Sequence, residues 1–242
     1  MNAEASQDQA EKAADELAAY IWDKRHAFDA DYLSVSEAMD QALAIEGKPV
    51  VINETSDNPG GGTPADGTHL LREMLKRDIP GSCFGFIYDP EFVELAEKTG
   101  VGSRVSGLLG GKTDKIHGDP IEVKDAYVKL ITDGTYFTAN AVQGYGVKFS
   151  IGKTARIVIG NVDIIVGSMR FQTMDDRIFL LTGINIADYK IVALKSSQHF
   201  RAFFEKVSAG IVTADPPGIH TANFSQLNYR KLTHPIYPLD KS

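Results

Sequence analysis

Hydrophobic residues follow two different periods along this chain, and the changes of period divide it. Over residues 8–28, Ala10, Ala14, Leu17, Ile21 and the flanking Trp22 recur between Asp, Glu and Lys at helical spacing. That spacing predicts an amphipathic helix whose apolar stripe needs a surface to cover it. A second helix is expected over about 36–45, because Ser34 and Glu37 have the spacing of a capping box, and Gly47 closes it. The pattern then becomes fully apolar in short runs. Pro49–Asn53 and Cys83–Tyr88 read as buried strands, each followed by a helical period, over 66–77 and 90–99. Strands alternating with helices in this way are expected to run parallel under helical cover.

Residues 104–172 carry the other period. Strand patterns at about 104–109, 121–131, 135–141, 147–150, 154–159 and 162–168 are separated by turn signals such as Asp133-Gly134 and Gly160-Asn161. With no helical stretch between them, they predict antiparallel β structure. Strand and helix then alternate again: a helix at 175–181, a strand at 189–194, a helix at 198–207 and a strand at 209–213. The tail from Pro216 is rich in loops and prolines. The expected fold class is therefore α/β, a parallel or mixed sheet with flanking helices plus an antiparallel β excursion at about 104–172. The expected organisation is a helical segment, 1–47, and one α/β domain, 48–242.

Composition narrows the function classes. The 242 residues carry 43% hydrophobic and 24% charged side chains, an ordinary globular balance that needs no metal or disulfide to form a core. A net charge of −7 argues against nucleic acid as a partner. No apolar run is long enough to span a membrane, and the polar N-terminus is unlike a signal peptide, so a cytoplasmic location is expected. The single cysteine, Cys83, lies in an apolar strand without basic neighbours in sequence, as a structural thiol would.

The strongest local signal is Ser56-Asp57-Asn58-Pro59-Gly60-Gly61-Gly62, which leaves a buried strand and leads through Asp66-Gly67-Thr68 into a helix. Ligands bind at the carboxyl ends of parallel strands. Three glycines would let backbone N–H groups approach a ligand closely, and the helix start favours an anion or carboxylate. The second signal is Lys195-Ser196-Ser197-Gln198-His199-Phe200-Arg201, at another strand-to-helix junction. Asp57, Asn58, Gly60, Gly61, Gly62, Lys195, Ser196, His199 and Arg201 are accordingly the candidate substrate-binding residues. Asp57 and His199 are the catalytic candidates, with no role assigned. A third cluster, Asp114, His117 and Asp119, lacks recognised metal-ligand spacing and reads as a turn. Two Gly-Lys-Thr triplets, at 111–113 and 152–154, are not P-loops, since Ser106 and Val147 stand where the P-loop glycine belongs.

These motifs resemble a known family. The loop at 56–62 with Asp66-Gly67-Thr68 is followed in order by Ile87-Tyr88-Asp89-Pro90, Gly110-Gly111-Lys112-Thr113 with His117-Gly118, and Gln172-Thr173. Then come Lys195-Ser196 with His199-Phe200-Arg201, Asp215-Pro216-Pro217-Gly218 and Pro235-Ile236-Tyr237-Pro238-Leu239-Asp240. Together they resemble the C-terminal region of the MlrC metallopeptidase family, named for microcystin degradation. The resemblance implies part of a zinc-dependent hydrolase acting on peptide or related amide bonds. Family members are longer, and their zinc ligands lie in an N-terminal half. This chain alone is thus expected to bind no zinc and to be inactive. It would supply substrate-side loops to a missing N-terminal metal-binding half or separate subunit, with a small peptide-like substrate and a possible homo-oligomer. The alternative is a stand-alone module that binds a small carboxylate or peptide without catalysis. Asp57→Ala is expected to abolish activity of the reconstituted enzyme while the fold survives, and Lys195→Ala and His199→Ala to weaken substrate binding more than stability.

Overall fold

Alternation along the strands decides the layering. In the computed structural model, which describes residues 6–29, 33–140 and 144–240, Val50 and Ile52 of the first strand enter one hydrophobic core and Val51 enters another. A strand with apolar residues on both sides must lie between two layers. The chain divides into two compact units, residues 1–31 and 32–242.

The first unit holds helix α1 (Gln7–Asp23), started by a capping box between Ser6 and Gln9, and a 3₁₀ turn over Arg25–Phe28. The single helix expected over 8–28 is therefore broken at Lys24, which caps α1. No residue of α1 is buried.

In the second unit, α2 (Val35–Ala44) begins at the predicted capping box of Ser34 and Glu37. It precedes β1 (Val50–Glu54), α3 (His69–Arg77), β2 (Ser82–Tyr88) and α4 (Pro90–Thr99). Next come β3 (Arg104–Leu109), β4 (Ile121–Thr132), β5 (Thr135–Asn140), β6 (Gly144–Ser150), β7 (Thr154–Ile159) and β8 (Val162–Gly167). The chain closes with α5 (Arg177–Leu181), β9 (Ile191–Lys195), α6 (Arg201–Phe204) and β10 (Gly210–Ala214).

Eight strands form one sheet in the order β10-β1-β9-β2-β8-β7-β4-β3. The first five run parallel and the last three are joined antiparallel. Strands β5 and β6 form a separate hairpin. The fold is thus α/β with a mixed sheet, flanking helices and the antiparallel excursion that the turn signals predicted. Three side chains of α2, namely Ala38, Met39 and Ala42, lie in one core with residues of α3 and α4. The opposite core takes Phe179 of α5, Phe200 and Phe204. Cys83 is buried in that second core. Burial, then the nearby Asp163 charge, pushes its thiol well above the ordinary value, so it is no nucleophile.

Three further helices, α3, α5 and α6, are shorter than the periodicity predicted. α3 starts at His69 because Asp57 holds the N–H groups of Ala65 and Gly67 just before it, and α6 spans only Arg201–Phe204. Neither serine before α6 caps it; Ser196 and Ser197 bond elsewhere.

The hairpin depends on one close approach. Gly134 has φ +76°, and a Cβ there would lie 1.9 Å from the carbonyl oxygen of Gly152. Because a backbone atom blocks the space, Gly134→Ala is expected to cost about 2 kcal/mol or more. A lowered urea midpoint at unchanged slope would show it.

Candidate functional site

Glu54 ends β1 and Lys195 ends β9, and the two are register partners in adjacent parallel strands. Glu54 shares its face with Val50 and Ile52, and Lys195 shares the same face with Ile191 and Ala193. Both side chains are fully buried. The Lys195 ammonium lies 2.8 Å from Glu54 Oε2 and 2.9 Å from Asp57 Oδ2. It also stands 5.6 Å from the ring centre of Phe84. Asp57, fully buried as well, accepts N–H bonds from Ala65 (2.9 Å) and Gly67 (2.7 Å). A Cβ on Gly67 would lie 2.7 Å from Asp57 Oδ2, so only glycine leaves room for this arrangement. The carboxylate therefore folds the segment after the loop around itself.

Two carboxylates share one ammonium here, and their surroundings drive them apart. Burial would raise the Asp57 carboxyl, but the charge and hydrogen bond of Lys195 outweigh it and hold it below the usual value. Burial dominates at Glu54, and with the Asp57 charge it raises that carboxyl despite Lys195. Glu54 Oε1 has no hydrogen-bond partner. Burial would lower Lys195, yet its two carboxylate neighbours raise it.

The glycine loop lies above this base. Asn58 Oδ1 accepts the Gly60 N–H, and the N–H groups of Gly61 and Gly62 go to the carbonyls of Asn58 and Pro59 in a 3₁₀ turn. Gly62 ends that turn in the left-handed region, at φ +89°. The three N–H groups expected to cradle an anion are thus engaged within the loop, and its exposed residues, Gly60 to Gly62, can offer a ligand only carbonyl oxygens.

The loop at 195–201 meets this one through residues that sequence reasoning did not select. Gln172 Nε2 donates to Ser196 Oγ at 2.8 Å, and Gln172 Oε1 pairs with Nδ1 of the exposed His199 at 3.1 Å. The Gln172 amide covers Gly60, where a Cβ would come within 2.2 Å of Oε1. The His220 ring covers Gly61, where a Cβ would come within 2.0 Å of the ring, and its Nδ1 lies 3.1 Å from the Thr55 carbonyl oxygen. Asn53 donates to the Ser196 carbonyl, Thr55 to Ser197, and Thr213 to Asn53. Arg201 reaches Thr213 and Glu205. The structure thus gathers Asn58, Gly60, Gly61, Gly62, Ser196 and His199 at the carboxyl ends of β1 and β9, the mouth of the site, where Gly60 to Gly62 and His199 are exposed, with Asp57 and Lys195 in the interior beneath. Arg201 joins through Thr213.

The third cluster is a turn. Asp114 accepts the N–H groups of Ile116 and His117 and pairs with His117 Nδ1 at 2.8 Å. Ile219 N–H donates to His117 Nε2, so both ring nitrogens are occupied. Asp119 pairs with Lys115. Its neighbour loop is tied down by Asp66, which accepts from Lys112 and Thr113. Among the described residues, no three His, Cys, Asp or Glu side chains are grouped to hold a metal ion. Among them, too, no helix is long and apolar enough to cross a membrane.

Comparison with known proteins agrees with this topology and these motifs. The chain is 30% identical over 208 residues to microcystinase C of a Sphingomonas species, which covers 86% of this chain and 39% of that protein. Its fold matches a crystal structure from Mesorhizobium sp. BNC1, named "Putative metallopeptidase", with a TM-score of 0.80 and 24% identity. That match covers 94% of this chain and 45% of the other. At such identity the likeness shows the fold alone. This chain spans less than half the length of either protein. The sequence pattern of the MlrC C-terminus matches residues 52–231, from within β1 into the proline-rich tail. This chain belongs to the MlrC C-terminus family.

Proposed function

We propose that this chain is the C-terminal, substrate-side part of a zinc-dependent hydrolase acting on peptide or related amide bonds. The observation that carries the reading is the convergence of the 56–62 and 195–201 loops at the carboxyl ends of β1 and β9, on a base of buried charges. Such a strand end is where α/β sheets bind ligands. Family membership and the names of the two relatives support a metallohydrolase. The described residues do not fit the implied zinc, because no ligand trio exists and the nitrogens of His117 are already bonded. On this reading the metal is held by residues outside this chain, in an N-terminal half or a separate subunit.

Within that assembly the chain's own groups hold and orient substrate. Asp57 and Lys195 fix the loop from below, and Gln172, His199 and His220 line the mouth. A stand-alone carboxylate binder fits less well, since the N–H groups of Gly60, Gly61 and Gly62 are engaged. The test is peptide hydrolysis by this chain alone and after joining it to the N-terminal segment of a full-length relative. Turnover is expected only in the joined protein. In that protein His199→Ala should raise KM several-fold with little loss of melting temperature, because the ring is exposed. Unchanged kinetics would remove the mouth from the mechanism.

A further inference from the structure

The mouth contains two imidazoles whose protonation pattern is dictated by their partners. A carbonyl oxygen can only accept, so the hydrogen between His220 Nδ1 and the Thr55 carbonyl is carried by the ring. The same holds at His199. Gln172 gives its NH₂ to Ser196 Oγ, which turns its carbonyl Oε1 toward His199 Nδ1. Each neutral ring is therefore the Nδ1–H tautomer, and each Nε2 is a lone pair. Among the described residues neither Nε2 has a hydrogen-bond partner, whereas the corresponding nitrogen of His117 accepts the Ile219 N–H. The two rings lie beside consecutive loop residues, His220 over Gly61 and His199 next to the Gln172 amide that covers Gly60.

We propose that His199 and His220 form an acceptor pair that selects ligands by their N–H donors, so that the mouth takes a neutral peptide-type amide through its N–H side. The loop supports the same polarity, because Gly60, Gly61 and Gly62 have turned their N–H groups inward. The nearby cations do not reverse it. Lys195 is buried between two carboxylates, and Arg201 is directed to Thr213 and Glu205. Gln172 is a positioning residue, since it fixes the His199 tautomer without needing to touch ligand. The proposal rests on the substrate-side reading above and adds to it which edge of the peptide this chain holds.

The test needs no turnover, and so fails separately from the hydrolase reading. Nitrogen-15 spectra of the histidine rings in the whole chain, recorded on the alkaline plateau of the ring signals, should show unprotonated Nε2 at both positions. Gln172→Met should release the His199 tautomer and leave His220 unchanged. A neutral dipeptide amide should then bind about tenfold more tightly than the ester analogue in which one N–H is replaced by oxygen. It should shift both Nε2 resonances. The double variant His199→Phe, His220→Phe should abolish the preference. A protonated Nε2 on either ring in the unsubstituted chain overturns the proposal, as does equal or absent binding of amide and ester.

Discussion

Lys195→Met is expected to destabilise the chain by about 3–5 kcal/mol, the usual cost of removing one partner from a buried ionic cluster. The ammonium it removes lies within 2.9 Å of two fully buried carboxylates. Asp57 would keep its bonds from Ala65 and Gly67. Glu54 would lose the one partner of Oε2, while Oε1 has none already. The chain would have to protonate Glu54 or admit water to it. The loss should therefore be smaller when Lys195→Met is made in a Glu54→Gln background, and a double-mutant cycle measures that coupling. Urea unfolding of the four proteins gives each value. A loss below about 1 kcal/mol for Lys195→Met would show that the cluster contributes little to the fold. This expectation replaces the one drawn from sequence, in which Lys195→Ala acted mainly on binding.

The second large effect concerns acid. Asp57 is held below its ordinary carboxyl value in the folded chain. A depressed carboxyl contributes stability that is present above its unfolded value and lost as pH falls through the folded one. Asp57 thus helps to unfold the chain below about pH 4, where it must take up a proton. Glu54 works in the opposite direction. Its raised carboxyl contributes stability that is full below the unfolded value and declines as pH rises through the folded one. Lys195, also raised, contributes until pH passes its folded value on the alkaline side. Asp57→Asn should lower stability at neutral pH by about 2–4 kcal/mol. It should also flatten the dependence of stability on pH below about 4. Urea midpoints across an acid series test this, and curves of equal slope for the two proteins would contradict it. Asp57→Ala is likewise expected to disturb the fold, contrary to the reading of the loop from sequence.

Much of this architecture was legible because each element announces itself locally. Val50–Ile52 and Cys83–Tyr88 are short apolar runs shortly before glycine or proline, and Ser34 with Glu37 marks a helix start. The limits of α3 and α6 were less legible, because tertiary bonds set them. Asp57 captures Ala65 and Gly67, delaying the start of α3 beyond the apolar period.

In the site, the loops at 56–62 and 195–201 were found because polar residues directly follow apolar strands. Which of those residues point inward was not available from one strand alone. Lys195 read as a substrate-binding donor at a strand end, and the pairing of β1 with β9 places it beside Glu54, with both on the core face. Gln172 and His220 were missed as site residues for a different reason. They come from segments far apart in sequence, and only the folded chain brings them over Gly60 and Gly61. The Gln172-Thr173 and Asp215–Gly218 motifs were the available signal, since the first contains Gln172 and the second ends just before His220. The same glycines explain themselves differently once folded. They make room for an amide and an imidazole, and their N–H groups serve the turn.

The central claim is that this chain supplies the substrate side of a hydrolase whose metal is held elsewhere. Zinc content after equilibrium dialysis tests it most directly, measured on this chain and on the same chain joined to the N-terminal segment of a full-length relative. The account predicts no stoichiometric zinc on this chain and stoichiometric zinc on the joined protein. Stoichiometric zinc bound by residues 1–242 alone, retained against dialysis, would contradict it.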